Sequence, residues 1–351
     1  ANGNELASQQ AGDVTYVAVK NVPAMGTEEI VFEEKKTEEN EAKFTISGKD
    51  IETPYYSISL NAYGQITRLY DKTFDKEVVP AGERANVLQI FEDKPIDNDA
   101  WDIDIFYQEK MREITDLTKF EVTECGALQM KIRMEWSYMN STICQDMVLY
   151  STSRRIDFAT TVDYHEKHQL LKAAFPVNIR STYGTYDVQY GNVRRPNHWN
   201  TSWDQARFES VAHRWADLSE RNYGVSLLND CKYGHDIKDN IMRITLLKAA
   251  THPDHLADQG MHIFTYALLP HEGDFVEGNV VQEAYALNDP MQVVGGSLNL
   301  DMESFVTFNN DQIELDAVKK SEDGQYIVIR FHEFAGSAQK VTMTPGFAFD
   351  S

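Results

Sequence analysis

The clearest signal along this chain is strict alternation of apolar and polar positions. From residue 128 onward, Met130, Ile132, Met134 and Trp136 share one side, with Lys131, Arg133 and Glu135 on the other. Met147 and Leu149 continue the pattern, then Ile156, Phe158, Thr160, Val162 and Tyr164. A period of two puts one face of a strand in a core and leaves the other wet. Three such strands joined by short polar links predict an antiparallel meander. Earlier, Tyr56, Ile58 and Leu60 alternate with Ser57 and Ser59, residues 61–64 read as a turn, and 66–70 complete a hairpin. Residues 86–91, 242–247, 262–269, 305–308, 313–318 and 326–334 read as further strands, with Asp323-Gly324 as the turn between the last two. Near the N-terminus, 14–19 and 30–32 suggest strands around a turn at 23–26. Only residues 208–218 offer helical spacing. The fold class predicted is all-β: a large antiparallel super-sandwich with smaller β-sandwich pieces at both ends.

Two stretches break this pattern. Residues 33–43 are a charge run, EEKKTEENEAK, and read as a solvated linker; residues 271–279 are rich in Gly and charge. They divide the chain into an N-terminal β segment and linker (1–45), a large sandwich (46–275) and a small C-terminal β domain (276–351). At 351 residues the chain is too long for one ordinary core.

Charge narrows the possible partners. With 33 basic and 55 acidic side chains the formal net charge is −22, which repels a nucleic-acid backbone or an anionic membrane. No apolar run approaches the roughly 20 residues that span a bilayer. Three widely spaced cysteines, Cys125, Cys144 and Cys231, argue against a disulfide scaffold or a Cys-rich zinc site and fit a reducing cytoplasm. The N-terminal ANGNELASQQ has neither a signal pattern nor an initiating Met and reads as an internal start within a longer protein.

The chemistry concentrates in residues 191–236. This stretch holds Trp199, Trp203 and Trp215, three histidines (His198, His213, His235) and many Asn, Asp and Arg. Arg194-Arg195-Pro196-Asn197 reads as a loop, because Pro fixes φ and restricts its predecessor. Exposed aromatic faces stack on the C–H face of a pyranose while neighbouring polar groups take its hydroxyls. The plainer reading, at even weight, is that the tryptophans are core and the polar groups cap turns. A second concentration is FEDKPIDNDAWDID, where Asp97, Asp99, Asp102 and Asp104 crowd around Trp101. Carboxylates this close raise one another's pKa, the route to a general acid, and a carboxylate pair is the glycosidase signature. In so acidic a chain, a solvated acidic loop is the commoner outcome. His252, Asp254, His255 and Asp258 cluster in THPDHLADQG without the spacing of a metal site, and a solvated hairpin loop is favoured. There is no Gly-rich phosphate loop, no Gly-x-Ser-x-Gly elbow and no His-Glu-x-x-His.

Five segments together resemble one family. They are Asp99-Ala-Trp-Asp102-Ile-Asp104, Arg195 through Phe208 (RPNHWNTSWDQARF), Arg214-Trp-Ala-Asp-Leu-Ser219, Gly224 through Gly234 (GVSLLNDCKYG) and Phe264 through His271 (FTYALLPH). In this order, over most of residues 55–275, they are similar to the glycoside hydrolase family 38 α-mannosidases of bacterial and cytosolic type. The stretch 318–334 looks like that family's final small β domain, and 14–32 like the β segment before the large sandwich. The resemblance implies a galactose-mutarotase-like super-sandwich. It covers only the family's C-terminal half; the N-terminal α/β domain, which carries the aspartate nucleophile and binds zinc, has no counterpart here.

The resemblance therefore implies a region with no catalytic residue, metal ligand or cofactor of its own, joined in the parent protein to a catalytic domain holding zinc or another divalent metal. The partners implied are that missing domain, a mannose-containing oligosaccharide and, since the family is often oligomeric, further copies of the chain. Substrate-facing positions expected on this basis are Asp99, Trp101, Asp102, Arg195, His198, Asn200, Trp203, Asp204, Asn229, Asp230 and Lys232, holding sugar hydroxyls and stacking on rings. Trp215 and Arg207 read as structural. The alternatives are a stand-alone carbohydrate-binding module and a purely structural β domain.

Overall fold

The alternation after Leu128 forms the strands Gln129–Tyr138, Ser141–Tyr150 and Ile156–Tyr164, paired antiparallel in chain order. The computed structural model describes residues 5–20, 22–32, 41–296 and 304–348. The chain divides into two units: a larger one of residues 41–187 and 193–290, and a smaller one drawn from 1–40, 188–192 and 291–351. The 33–43 charge run lies outside the described residues except for its last three positions.

In the larger unit the meander belongs to a nine-stranded antiparallel sheet, which continues through Gly260–Glu272, Tyr223–Asn229, Trp215–Ser219 and Tyr183–Val188 to the edge strand Gly191–Pro196. A six-stranded sheet lies against it, ordered Ser210–Val211, Gly234–Lys238, Ile241–Leu247, Gln169–Pro176, Val87–Glu92 and Met111–Glu113. The inward faces form one core in which Met134, Phe158, Phe175, Tyr266, Ile244 and Ile90 are all buried. Fully covering such side chains stabilises the fold by about 1.5–3 kcal/mol each. The core also holds a closed polar ring. Asn86 Nδ2 donates to Gln145 Oε1 (2.8 Å), Gln145 Nε2 donates to Thr160 Oγ1 (2.9 Å) and Tyr266 OH (2.8 Å), and Tyr266 OH donates to Asn86 Oδ1 (2.7 Å). Satisfied in this way, buried amides fix the register of the two sheets instead of weakening the core. A five-stranded sheet from Thr45–Ser47 to Lys76–Glu77 caps the core and contains the expected hairpin, Tyr56–Leu60 with Ile66–Asp71. Its turn needs Gly64 at φ +80°, where an added Cβ would lie 2.9 Å from both Met134 Sδ and Trp136 Cζ2.

Several expectations need correction. Residues 208–218 are not helical; they form the strands Ser210–Val211 and Trp215–Ser219, the second paired with Tyr223–Asn229. Sheet pairing overrides a weak helical spacing here. Arg194 to Pro196 end an edge strand instead of forming a loop, an edge being where Pro is tolerated. The larger unit does not stop near residue 275. A helix, Val280–Asn288, follows and packs Val280, Val281 and Ala284 onto strands Trp215–Ser219 and Tyr223–Asn229. That cover explains why every residue of Tyr223–Asn229 is buried on both faces.

The smaller unit contains three two-stranded ribbons: Ser8–Ala11 with Val14–Val17, Val306–Phe308 with Met343–Pro345, and Ile313–Lys320 with Ile327–Glu333. The first and last parts of the chain share this unit through a bridge between Gly26 and Ser304. Residues 30–32 are irregular rather than a strand.

Candidate functional site

The outer face of the six-stranded sheet carries the densest chemistry in the larger unit. In the strand Gln169–Pro176, Leu171, Ala173 and Phe175 point into the core, so Leu170, Lys172 and Ala174 point outward. Lys172 pairs across the sheet with Gln89, and Asp236 with Arg243. The Lys172 side chain is 0% exposed; Nζ lies 2.7 Å from Asp236 Oδ2 and forms an ion pair with Glu209. Arg243 Nη1 holds the other Asp236 oxygen at 2.7 Å, and its Nε donates to Gln89 Oε1 at 3.2 Å. Tyr107 OH donates to Glu209 Oε1 at 2.5 Å. Burial opposes the Lys172 charge, but the facing Asp236 and Glu209 outweigh it and keep the ammonium above its ordinary range. Burial pushes the Glu209 carboxyl up, against the pull of Lys172.

Two loops cover this network. The first, residues 93–110, starts at the buried Asp93, whose amide donates to His168 O (2.8 Å) and whose carboxylate pairs with Lys248. Asp99 staples it again: Oδ2 accepts from the Thr251 amide at 2.6 Å, the Thr251 hydroxyl at 3.2 Å and the His252 amide at 3.2 Å. Asp102 Oδ2 accepts from Asn98 Nδ2 (3.1 Å), and Asp104 Oδ2 from the Ile96 amide (3.0 Å). The loop closes in a short 3₁₀ turn, Ile105–Glu109, which delivers Tyr107. The second loop, residues 197–209, is set by a one-turn helix, Ser202–Gln205. Thr201 Oγ1 caps it by accepting from the Asp204 amide (3.2 Å) and donates to Asp204 Oδ2 (2.9 Å). His198 Nδ1 stands 3.8 Å from that carboxylate. The loops meet over a small apolar cluster of Phe91, Tyr107 and Leu170 with Ile103 and Phe208.

The expected site residues divide accordingly. Trp101 and Trp203 are the displayed aromatics, 71% and 77% exposed. Asn200 is exposed, and Asp102, His198 and Asp204 flank the tryptophans in sequence on the same two loops. Arg195 donates to Val211 O (3.0 Å) and stacks over Tyr186 (4.6 Å), so it braces the edge strand; burial lowers its pKa. Asn229 is fully buried. Its Nδ2 donates to His213 O (2.8 Å) and its Oδ1 accepts from the Lys232 amide (2.7 Å). Asp230 Oδ2 accepts from the Thr265 amide (2.8 Å), and Lys232 Nζ sits 4.5 Å over the Phe264 ring. These three hold the crossover between the sheets and do not join the tryptophan loops. Trp215 is core, stacked on Phe275 at 4.9 Å, and Trp199 lies under Lys238 at 4.2 Å.

Asp99 does not show the raised pKa that crowding of the carboxylates would give. Burial would raise its pKa, but the bonds from Thr251, with His168 nearby, take it below the ordinary carboxylate range. Among the described residues, no group of three or more His, Cys, Asp or Glu is placed to hold a metal ion. In residues 251–260, Asp254 and Asp258 instead accept from the amides of Leu256 and Ala249. The chain thus offers two braced loops that display aromatic side chains, with hydrogen-bonding residues beside them in sequence. Sequence reading missed Tyr107, Lys172, Glu209, Asp236 and Arg243. The available signal was a lone Lys inside the apolar run LLKAAF.

Comparison with known proteins gives concordant matches. Residues 51–256 match the family described as glycosyl hydrolases family 38 C-terminal domain, and 312–351 the family 38 C-terminal beta sandwich domain. Alpha-mannosidase G of Dictyostelium discoideum is 36% identical over 306 residues, covering 84% of this chain and 28% of that protein. Human alpha-mannosidase 2C1 is 37% identical over 287 residues, covering 80% and 28%. The chain therefore spans little more than a quarter of the length of these relatives. Among solved structures, an alpha-mannosidase from Enterococcus faecalis V583 superposes with a TM-score of 0.73 at 15% identity, over 97% of this chain and 44% of that one. At that identity the likeness speaks for the fold. Among the described residues, no helix is long and apolar enough to cross a membrane.

Proposed function

Since the chain belongs to glycosyl hydrolase family 38, as its C-terminal region, we propose that it is the non-catalytic C-terminal β region of a retaining α-mannosidase acting on mannose-containing oligosaccharides. In this reading the larger unit supports the fold of the parent protein, and its two tryptophan loops help line the substrate cleft. The observation that carries it is the pair of exposed indoles, Trp101 and Trp203, on loops fixed to the sheet by buried charges. Indole faces beside Asp102, Asn200 and His198 suit the C–H face and hydroxyls of a sugar ring.

The aspartate nucleophile and the divalent metal, zinc by the family's pattern, are assigned to the part of the parent protein upstream of this chain. Here the residues hold and orient. Asn229, Asp230 and Lys232 are assigned a structural role, because the Asn229 amide and Asp230 Oδ2 bond main chain and Lys232 Nζ sits over a ring. A cytoplasmic setting is part of the proposal, supported by the three free cysteines.

Kinetics of the parent enzyme test this reading. Trp101→Ala and Trp203→Ala should each raise KM for an aryl α-mannoside about 2- to 10-fold, the range of one lost stacking contact, while thermal stability stays near that of the unaltered enzyme. Unchanged kinetics in both variants remove the loops from the cleft.

A further inference from the structure

The geometry points to Glu209 as a positioning residue that clamps the two tryptophan loops into one body, with Lys172 as its anchor in the sheet. Glu209 belongs to the second loop, four residues past the helix Ser202–Gln205. One of its carboxylate oxygens takes two partners, Lys172 Nζ and, at 2.5 Å, the hydroxyl of Tyr107 from the first loop. Lys172 is itself fixed, 2.7 Å from Asp236, which lies two strands away in the same sheet, beyond Ile241–Leu247. Tyr107 is tied back into its own loop, its amide donating to Asp104 O at 3.1 Å, while Asp104 accepts from Ile96. An unbroken polar path thus runs from one loop through Glu209 to the sheet.

The arrangement is more than apolar packing of the loops on each other. The Tyr107 and Phe208 rings are 6.4 Å apart and tilted, an arrangement that sets no particular distance between Trp101 and Trp203. A hydrogen bond to a half-buried carboxylate does, being short and directional. The cost of burying Lys172, Glu209 and Asp236 together is recovered only while each keeps its partners. The clamp is therefore expected to be two-state: the loops are held together, or both are released. Its effect on substrate rests on the function proposed above; the coupling itself does not.

Two mild variants in the full-length parent protein test the coupling. Tyr107→Phe removes only the hydroxyl and keeps the ring packing. Glu209→Gln keeps size and an acceptor, so it should preserve much of the clamp, whereas Glu209→Ala should not. Hydrogen exchange is followed in peptides covering 94–110 and 198–209, with KM and kcat for an aryl α-mannoside measured alongside. Tyr107→Phe should raise exchange about tenfold in 198–209 as well as in its own loop, the scale of one lost hydrogen bond to a charged group. Glu209→Ala should do the same across to 94–110, with Glu209→Gln restoring most of the protection. KM should rise with kcat little changed. Exchange that rises only in the mutated loop overturns the clamp. Exchange that rises in both loops with KM unmoved supports the clamp and counts against the cleft-lining function.

Discussion

His235 shows how far a single side chain can depart from its motif. As one of three histidines in the richest stretch of the sequence it invites a catalytic reading, yet it is completely buried between the strands. Burial first, and the nearby Lys172 charge second, lower its pKa from 6.5 to about 4. In the unfolded chain it takes a proton at the higher value. Between the two, the unfolded state binds more protons, so stability rises with pH across that window and is lost as pH falls from about 6.5 toward 4. The lowering corresponds to a contribution on the order of 3 kcal/mol at neutral pH. Denaturant unfolding at pH 7 and at pH 4.5 checks this: His235→Leu should lose markedly less stability on acidification than the unaltered chain, and an equal loss would clear His235 of the effect. Asn229 carries the same lesson. Its type and place suggested a ligand for sugar hydroxyls, but strand pairing seals it and its amide serves His213 and Lys232. Residue type was visible in the sequence; which side of a covered strand each residue faces was not.

At the level of elements, legibility followed exposure. Strands with one wet face, such as Gln129–Tyr138, alternate and were found. Strands covered on both faces, such as Gln169–Pro176 and Tyr223–Asn229, lose the alternation and were passed over or left unpaired. What covers them, the tryptophan loops on one and the helix Val280–Asn288 on the other, is set by contacts distant in sequence. Close approach is the clearest mark of that second cover. A Cβ on Gly224 would fall 2.3 Å from both His271 Cε1 and Ser219 Oγ, and one on Gly278 2.2 Å from His271 Nδ1. His271 is thus wedged where strand, strand and helix approach meet, with Nε2 2.9 Å from Asp217 Oδ2. Gly224→Ala should destabilise the chain by about 1–3 kcal/mol through overpacking, read as a lower denaturation midpoint at unchanged slope. A midpoint within error of the unaltered chain would show that the backbone there gives way freely.

For the whole molecule, the two large antiparallel sheets agree with the all-β super-sandwich expected, and the family matches cover both the sandwich and the C-terminal β segment. The two loops, residues 93–110 and 197–209, meet through Tyr107, Phe208 and Glu209. The buried charges that fix them stood too far apart in sequence to be joined by reading it. The central claim is that this chain shapes a cleft whose nucleophile and metal lie elsewhere. Its most direct test is hydrolysis of an aryl α-mannoside by the 351-residue chain alone, with and without added zinc, beside the parent protein under the same conditions. Turnover by the parent and none by the chain in either condition is the expected result. Clear turnover by the chain alone would contradict it, and the carboxylates of the two tryptophan loops would then have to perform the chemistry.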